Sequence, residues 1–331
     1  MTTDATSVAR TQPALPAAAR LSDRVLFRIS GPGTDDFLQG QMSQNLTDVI
    51  PGYSPRAAAS TPKGRAYLLT RLDSDGDAIL QTLPAATADD ASRPPNKALM
   101  LFPGTTMERL DSGQVLGLLG EESARTLLED TTLPTEPGGT LALGEGHLIR
   151  TQPTAEGLPR FEFWLPSTAD PSVQAKLERL GTATLADWNA SDIAAGVAEL
   201  DAGTREKWVP QMLNWQHLDG IHFKKGCYTG QEVIARMHFL VQLKKSVYRL
   251  SAPGGDTPSP GSSIVADGKP VGEVVRSVSL DDGSVQLLAV IKHASADAPL
   301  HLEATGQPLT IQPLPYAVPE REQPAEQTPD T

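Results

Sequence analysis

Hydrophobic positions along the chain fall into short runs punctuated by Gly, Pro and Asp. VLFRIS (Val25–Ser30) predicts a strand, stopped by Gly31-Pro32-Gly33, after which Thr34 can cap a helix through Asp35, Asp36, Phe37 and Leu38. RAYLLTRL (Arg65–Leu72) and ALMLF (Ala98–Phe102) predict two further strands, closed by Asp73–Asp77 and by Pro103-Gly104. VLGLLG (Val115–Gly120) then leads into ESARTLLED, an amphipathic helix. HLIRT (His147–Thr151) and RFEFWL (Arg160–Leu165) read as strands, the second alternating cleanly. Asp170-Pro171 opens another helix with Pro at its first position, and Gly181 ends it. Strand, helix, strand, strand, helix is a compact α+β module. From Ser246 onward helix signals vanish. Short β-rich runs alternate with turns at Asp267-Gly268 and Asp282-Gly283, and SVQLLAVIK (Ser284–Lys292) is the strongest strand there, which predicts a small antiparallel barrel.

The 331 residues allow two or three domains at roughly 100–200 residues each. The first 20 residues, rich in Ala, Thr and Pro, lack the continuous apolar core of a signal peptide and read as a disordered arm; the tail from Pro319 reads the same way. No apolar run approaches the ~20 residues of a membrane span, so no membrane partner is expected. Net charge is −12, which argues against broad, non-specific nucleic-acid binding. The charge is uneven, however. Residues 201–250 hold eight Lys or Arg against four acids, a local +4, so the remainder carries −16. That segment is either a solvated basic face or a site for an anionic ligand.

The single cysteine, Cys227, lies in this segment. Alone it can form neither an intrachain disulfide nor an all-cysteine zinc or iron–sulfur site, and the usage fits a reducing, cytoplasmic compartment. Free cysteines are commonly small buried hydrophobes. Lys224 and Lys225 before it and the helix Gln231–His238 after it would instead favour a thiolate, and Gly226 and Gly230 would let the backbone approach a ligand. Both readings stay open at this point. Glu232 and Arg236, four apart, are expected to pair and fix that helix. Trp188, Tyr228 and Trp208 could stack on a flat heterocycle, and an aromatic platform beside cations suits a pterin or a nucleotide. His217, His222 and His238 show no metal-ligand spacing, so no metal is expected. Gly31–Gly33 lacks the third glycine of a dinucleotide fingerprint, and there is no Walker A sequence, serine elbow or recognisable triad.

KGCYTGQE (Lys225–Glu232) resembles the signature of the YgfZ family, folate-binding proteins related to the aminomethyltransferase (T-protein) of the glycine cleavage system. FLQGQMSQNL (Phe37–Leu46), PKGR (Pro62–Arg65), VPQMLNWQHLDGIHFKKGCYTGQEVIAR and PLPY (Pro313–Tyr316) extend the likeness in order over about residues 21–318. The resemblance implies an α+β fold of three domains around a central channel. These are a folate-binding domain of residues 21–110 with 186–243, a second α+β domain of 111–185, and a C-terminal antiparallel β-barrel of 244–318, flanked by an arm of 1–20 and a tail of 319–331. It implies tetrahydrofolate or a one-carbon derivative as ligand, and iron–sulfur client enzymes or assembly proteins as partners, with tRNA-modifying enzymes among them. Cys227 is the functional thiol on this reading, with Lys225 and Glu232 beside it; Trp188, Tyr228, Gly226, Gly230, Gln231 and Arg236 form the folate-binding set. Arg24 stands where the family has a second tryptophan. Ala66 and Tyr67 stand where glycine-cleavage relatives carry an Asp pair, so ordinary aminomethyl transfer is not expected. The leading expectation is a folate-binding accessory factor for iron–sulfur proteins that affects tRNA thiolation. A folate-dependent one-carbon transferase and a direct tRNA-binding factor are the alternatives.

Overall fold

The computed structural model describes residues 8–128 and 131–321. In chain order the elements are β1 (Val8–Ala9), β2 (Ala17–Arg20), β3 (Arg24–Ser30), α1 (Thr34–Gln41), β4 (Arg56–Ser60), β5 (Ala66–Asp75), β6 (Ala78–Pro84), α2 (Ala88–Leu99), β7 (Thr106–Arg109), β8 (Gln114–Leu119), α3 (Glu121–Arg125) and β9 (Thr140–Leu143). There follow β10 (Gly146–Thr151), β11 (Arg160–Leu165), α4 (Pro171–Leu177), β12 (Gly181–Ala183), α5 (Leu185–Ala194), α6 (Gln231–Phe239), β13 (Lys245–Ala252), β14 (Ser263–Ala266), β15 (Lys269–Leu280), β16 (Val285–Lys292), β17 (Leu300–Leu302) and β18 (Pro308–Gln312).

Three sheets result. The first module is a sheet in the order β4-β5-β6-β3-β7, covered on one face by α1 and α2. The second is a sheet in the order β12-β2-β8-β11-β10-β9. The C-terminal strands close a six-stranded antiparallel barrel, β15-β14-β17-β18-β13-β16 and back to β15, with β1 added in parallel on β15. The barrel turns fall where the Asp-Gly pairs predict them: Asp267 and Gly268 both take positive φ, as a two-residue hairpin requires.

The inner strands β5, β6, β10 and β11 are buried on both faces because both faces are covered. On β3, Phe27 and Ile29 join the core under α1, while Leu26 joins Leu80, Val115, Trp164 and Trp188 between the sheets. RFEFWL alternates as the sequence predicts, with Phe161, Phe163 and Leu165 on one face. Each buried aromatic there contributes on the order of 2 kcal/mol by removal of apolar area from water. The other face, Arg160, Glu162 and Trp164, is equally buried. It faces the junction of the modules, not solvent.

Three expectations need correction. The stretch 1–20 is not a disordered arm where it is described. β2 is an inner strand, antiparallel to β8 and parallel to β12, and Arg10 and Thr11 bond to Asp187 and Asp281. Alanine carries no period-2 signal, so this strand exists only through its neighbours. ALMLF is not a strand. Ala98 and Leu99 end α2, a helix that holds Pro94 and Pro95, and Leu99 and Phe102 pack on the core while Met100 and Leu101 are exposed. At the other end, Pro319–Arg321 of the expected tail form a 3-10 turn. Glu320 pairs with His217 there, and the Arg321 guanidinium lies 3.6 Å from the centre of the Tyr248 ring. Residues 322–331 and 1–7 lie outside the described residues.

The first two modules are clamped by His147 on β10, whose Nδ1 lies 2.6 Å from Asp73 on β5 and whose Nε2 lies 3.6 Å from Asp75. Burial disfavours the imidazolium, but Asp73 and then Asp75 outweigh it and raise the His147 pKa. A raised folded pKa makes this contribution full below the unfolded value of about 6.5 and removes it as pH rises through the folded value. The unfolding midpoint of wild type should therefore exceed that of His147→Gln most near about pH 6, by up to about 1 kcal/mol for a part-exposed pair, and the gap should close at higher pH. Denaturant titrations across that range check it; a gap that widens with pH contradicts the clamp.

Candidate functional site

The sequence TLADWNASDIA sets the centre of the molecule. Thr184 caps α5 by accepting from the Asp187 N–H, and the Asp187 carboxylate accepts from the Thr184 N–H in return, a reciprocal box that fixes the helix start. The register so set turns Trp188, Asn189 and Asp192 toward the other modules. Asp192 accepts from three guanidiniums, each from a different module: Arg160 of β11, Arg24 of β3 at 3.2 Å and Arg276 of β15 at 3.2 Å. Glu199 takes a second bond from Arg24 at 3.0 Å and lies 3.8 Å from Arg276, which also donates to Asn189 Oδ1 at 2.9 Å. Burial works against the Asp192 carboxylate, yet the three cations hold its pKa well below the ordinary range. Glu199 goes the other way, its pKa raised because burial outweighs its cations.

This ion cluster is a wall between two spaces. Outside it runs a groove. Its deep end, about 250 Å³, is lined by Asp23, Asn189, Glu199, Arg276 and Ser277 among others. Its broad end, about 950 Å³, begins at the shared residues Asn189 and Ser277 and runs past Gln114, Thr182 and Thr184 to Arg20. A site of this size is in the ~300–1,000 Å³ range of small-molecule clefts. At the deep end Asp23 Oδ1 is buried and has no protein donor. Inside the wall is a narrow, partly open cavity of about 20 Å³.

Trp188 is not a platform facing that groove. It is 1% exposed, its ring lies against Gly117, where a Cβ would stand 2.2 Å away, and the Arg160 guanidinium covers it at 4.3 Å. Trp208 is likewise core. Arg24, where the resemblance implies a second tryptophan, supplies charge to the wall instead of a ring.

The cysteine loop is a separate site. Lys225 turns inward, and its Nζ donates to Gln39 O at 2.7 Å, Met42 O at 2.6 Å and Gln44 O at 2.8 Å, the carbonyls at and just past the end of α1. Its ammonium also lies 4.8 Å from the Tyr228 ring, itself core, and burial pushes the Lys225 pKa down to about 7. The loop is thereby pinned and Cys227 is left exposed. Gly230 starts α6 at φ +85°, where a Cβ would meet Thr61 O at 2.6 Å; Gly64 at φ +71° meets Val233 on the same contact, so the PKGR and KGCYTGQE segments are pressed together. A Cβ at Gly226 would make only an ordinary contact with Gln39 Nε2 at 4.0 Å, and its φ is not positive. Gln231 donates to Lys225 O at 3.4 Å. Glu232 and Arg236 are both exposed and form no ion pair, as befits an exposed i,i+4 pair worth only ~0.3–0.5 kcal/mol.

Of the expected folate-binding set, Gly226, Tyr228, Gly230, Gln231 and Arg236 stand with Cys227 apart from the groove: none of residues 224–236 lines it or the inner cavity. Lys225 is committed to α1 and does not face the thiol. The far end of α6 from Cys227 carries exposed apolar side chains. Phe223 stacks on His238 at 3.6 Å, and Phe239, Leu240 and Val241 are 64%, 79% and 39% exposed. Among the described residues no group of three or more His, Cys, Asp or Glu could hold a metal, and no helix is long and apolar enough to cross a membrane. Ala66 and Tyr67 are buried. Sequence reasoning missed Asp192, Glu199, Arg160 and Arg276. The one local signal was a pair of charges, Arg160 and Glu162, inside an otherwise apolar strand.

No family model matches the chain. Among curated proteins it is similar to tRNA-modifying protein YgfZ of Cronobacter sakazakii (strain ATCC BAA-894), 30% identical over 311 residues, spanning 91% of this chain and 93% of that one. It is also similar to tRNA-modifying protein YgfZ of Sodalis glossinidius (strain morsitans), 30% identical over 312 residues (90% and 92%), and of Yersinia pestis (strain Pestoides F), 28% over 311 residues (91% and 92%). Among solved structures, glycine cleavage system aminomethyltransferase T from Bartonella henselae superposes with a TM-score of 0.72 at 16% identity, over 94% of this chain and 87% of that one, which establishes a common fold.

Proposed function

The chain belongs to the YgfZ family, and on that premise we propose that it is a cytoplasmic folate-binding factor. On this reading it serves iron–sulfur enzymes of tRNA modification and acts on a protein partner through the Cys227 thiol. The observation that carries the reading is the groove at the meeting of the three modules. Its deep end has room for a fused bicyclic ring. There the Asp23 carboxylate lines the wall and offers an acceptor to a ring N–H or amino group, and Asn189 and Glu199 stand beside it. The broad end accommodates an extended tail, with Arg20 available to a carboxylate. The donor and acceptor set thus fits a tetrahydrofolate. The ligand's role is to carry a one-carbon unit; the protein's is to orient it, the ion wall keeping the groove closed at its inner end.

Cys227 lies outside the groove and is exposed, close behind Lys224 and Lys225 in sequence and ahead of α6, whose far end carries the exposed Phe239, Leu240 and Val241. Large exposed apolar side chains favour a protein partner for the thiol, such as an iron–sulfur enzyme, over the bound folate. A lone thiol can supply one ligand in a shared complex, or its thiolate can attack a partner's disulfide, forming a mixed disulfide as the partner's other sulfur leaves as a thiolate.

Calorimetry with tetrahydrofolate tests the first half. Asp23→Asn should weaken binding roughly tenfold, the worth of one charge-assisted hydrogen bond, whereas Cys227→Ala should leave it unchanged. The second half is tested in cells, where Cys227→Ala should abolish support of tRNA thiolation. Absence of folate binding up to millimolar concentration removes the ligand, and a fully functional Cys227→Ala chain removes the thiol's role.

A further inference from the structure

The narrow cavity behind the ion wall holds about 20 Å³. That is room for one water or one monoatomic ion. It is lined by Arg24, Arg56 and Arg71 together with Glu162, Asp192 and Glu199.

The acids on its surface are already engaged. Asp192 accepts from three guanidiniums, Glu199 from Arg24, and Glu162 from Trp164 Nε1 at 2.8 Å. Two of the cations are not. Arg71 is 3% exposed; one N–H bonds to Ser54 O, and its Nε and Nη2 have no protein acceptor. Arg56 is 7% exposed; it donates to the neutral oxygens of Thr151 and Gln152 and lies over the Trp215 ring at 5.4 Å. Among the described residues neither has a carboxylate within ion-pair distance. Arg24 Nε, on the same cavity, is also buried without an acceptor. An unpaired buried charge costs several kcal/mol, so buried guanidiniums are ordinarily matched by anions. Burial, and next the like charge of Arg71, push the Arg56 pKa down to about 9, which shows how strongly this region disfavours a second unpaired cation.

We propose that this cavity is a binding site for a monoatomic anion of chloride size, held by the free N–H groups of Arg71 and Arg24 and neutralising the Arg56–Arg71 pair. Water would satisfy one or two donors but none of the charge. The same chemistry could come from a carboxylate of a bound ligand, but the cavity is narrow and of single-ion size, and this favours the free ion. The site is independent of the folate reading of the outer groove.

Thermal unfolding of the full chain at one ionic strength, with gluconate replaced stepwise by chloride or bromide, tests it. Halide should raise Tm by about 2 °C per tenfold increase once above its Kd, and gluconate, too large to enter, should not. Arg71→Met should abolish the halide increment. Should that variant fail to fold, crystals of the wild-type chain grown in bromide give a second reading. An anomalous peak between Arg71 and Arg24 supports the site, whereas a water there overturns it. Equal Tm in halide and gluconate also overturns it. With tetrahydrofolate saturating, a persisting halide response supports a free ion, and its loss overturns that in favour of the ligand's own carboxylate.

Discussion

Replacing Asp192 by asparagine is expected to lower the free energy of unfolding by about 3–5 kcal/mol, because it removes one partner from a buried charged cluster. Arg160 is fully buried, Arg24 and Arg276 nearly so, and all three reach the same carboxylate. An amide of the same shape keeps the volume but offers one acceptor oxygen and no charge, leaving Glu199 as the cluster's other carboxylate. The three arginines come from three modules, so the variant should also loosen their mutual packing, read as earlier proteolysis between modules. The pH dependence follows from the depressed Asp192 pKa. Its contribution is present above the unfolded carboxylate value of about 3.9 and is lost as pH falls toward the folded value. Urea titrations of wild type and Asp192→Asn should therefore differ most at neutral pH and converge in acid. A difference below about 1 kcal/mol at neutral pH would mean that the three cations find other partners.

Lys225→Met is expected to cost about 2–4 kcal/mol. Methionine fills much of the space of the lysine stem, so packing is largely kept while three carbonyls at the end of α1 lose their donor. Arginine should not rescue it, since its planar fork cannot reproduce three bonds converging on one nitrogen. The effect is also local. Gly226 and Cys227 follow the pinned residue directly, so the loop should gain freedom and Cys227 should react faster with a maleimide than in wild type. Unchanged stability together with an unchanged modification rate would show that the three bonds do not hold the loop.

Most strands of the fold were legible because apolar runs between turn residues carry their own signal. Phe161, Phe163 and Leu165 declare one face of β11, and Asp267-Gly268 and Asp282-Gly283 declare hairpins. α2 was not legible: its two prolines mimic a break, and its last turn reads as a strand when Ala98–Phe102 are viewed in isolation. β2 was not legible because AAAR has neither period. At the cysteine loop, the sequence marks the glycines and the lysines but not their directions. Gly230 is required by its φ and its contact with Thr61, while Gly226 is not, and Lys225 points away from the thiol it precedes.

The sequence by itself determined the α+β class, the C-terminal barrel and, through KGCYTGQE and the segments around it, the family. Each of these is carried by residues close together in the chain, where periodicity and turn chemistry act. Tertiary structure alone decided which charges leave water. Arg24, Arg160, Asp192 and Arg276 are spread over some 250 positions, and each looks like an ordinary polar residue in its own segment. Only when three modules close on α5 does the loss of solvent turn them into one cluster, since the cost of burying a charge is set by what surrounds it in space and not by its neighbours along the chain.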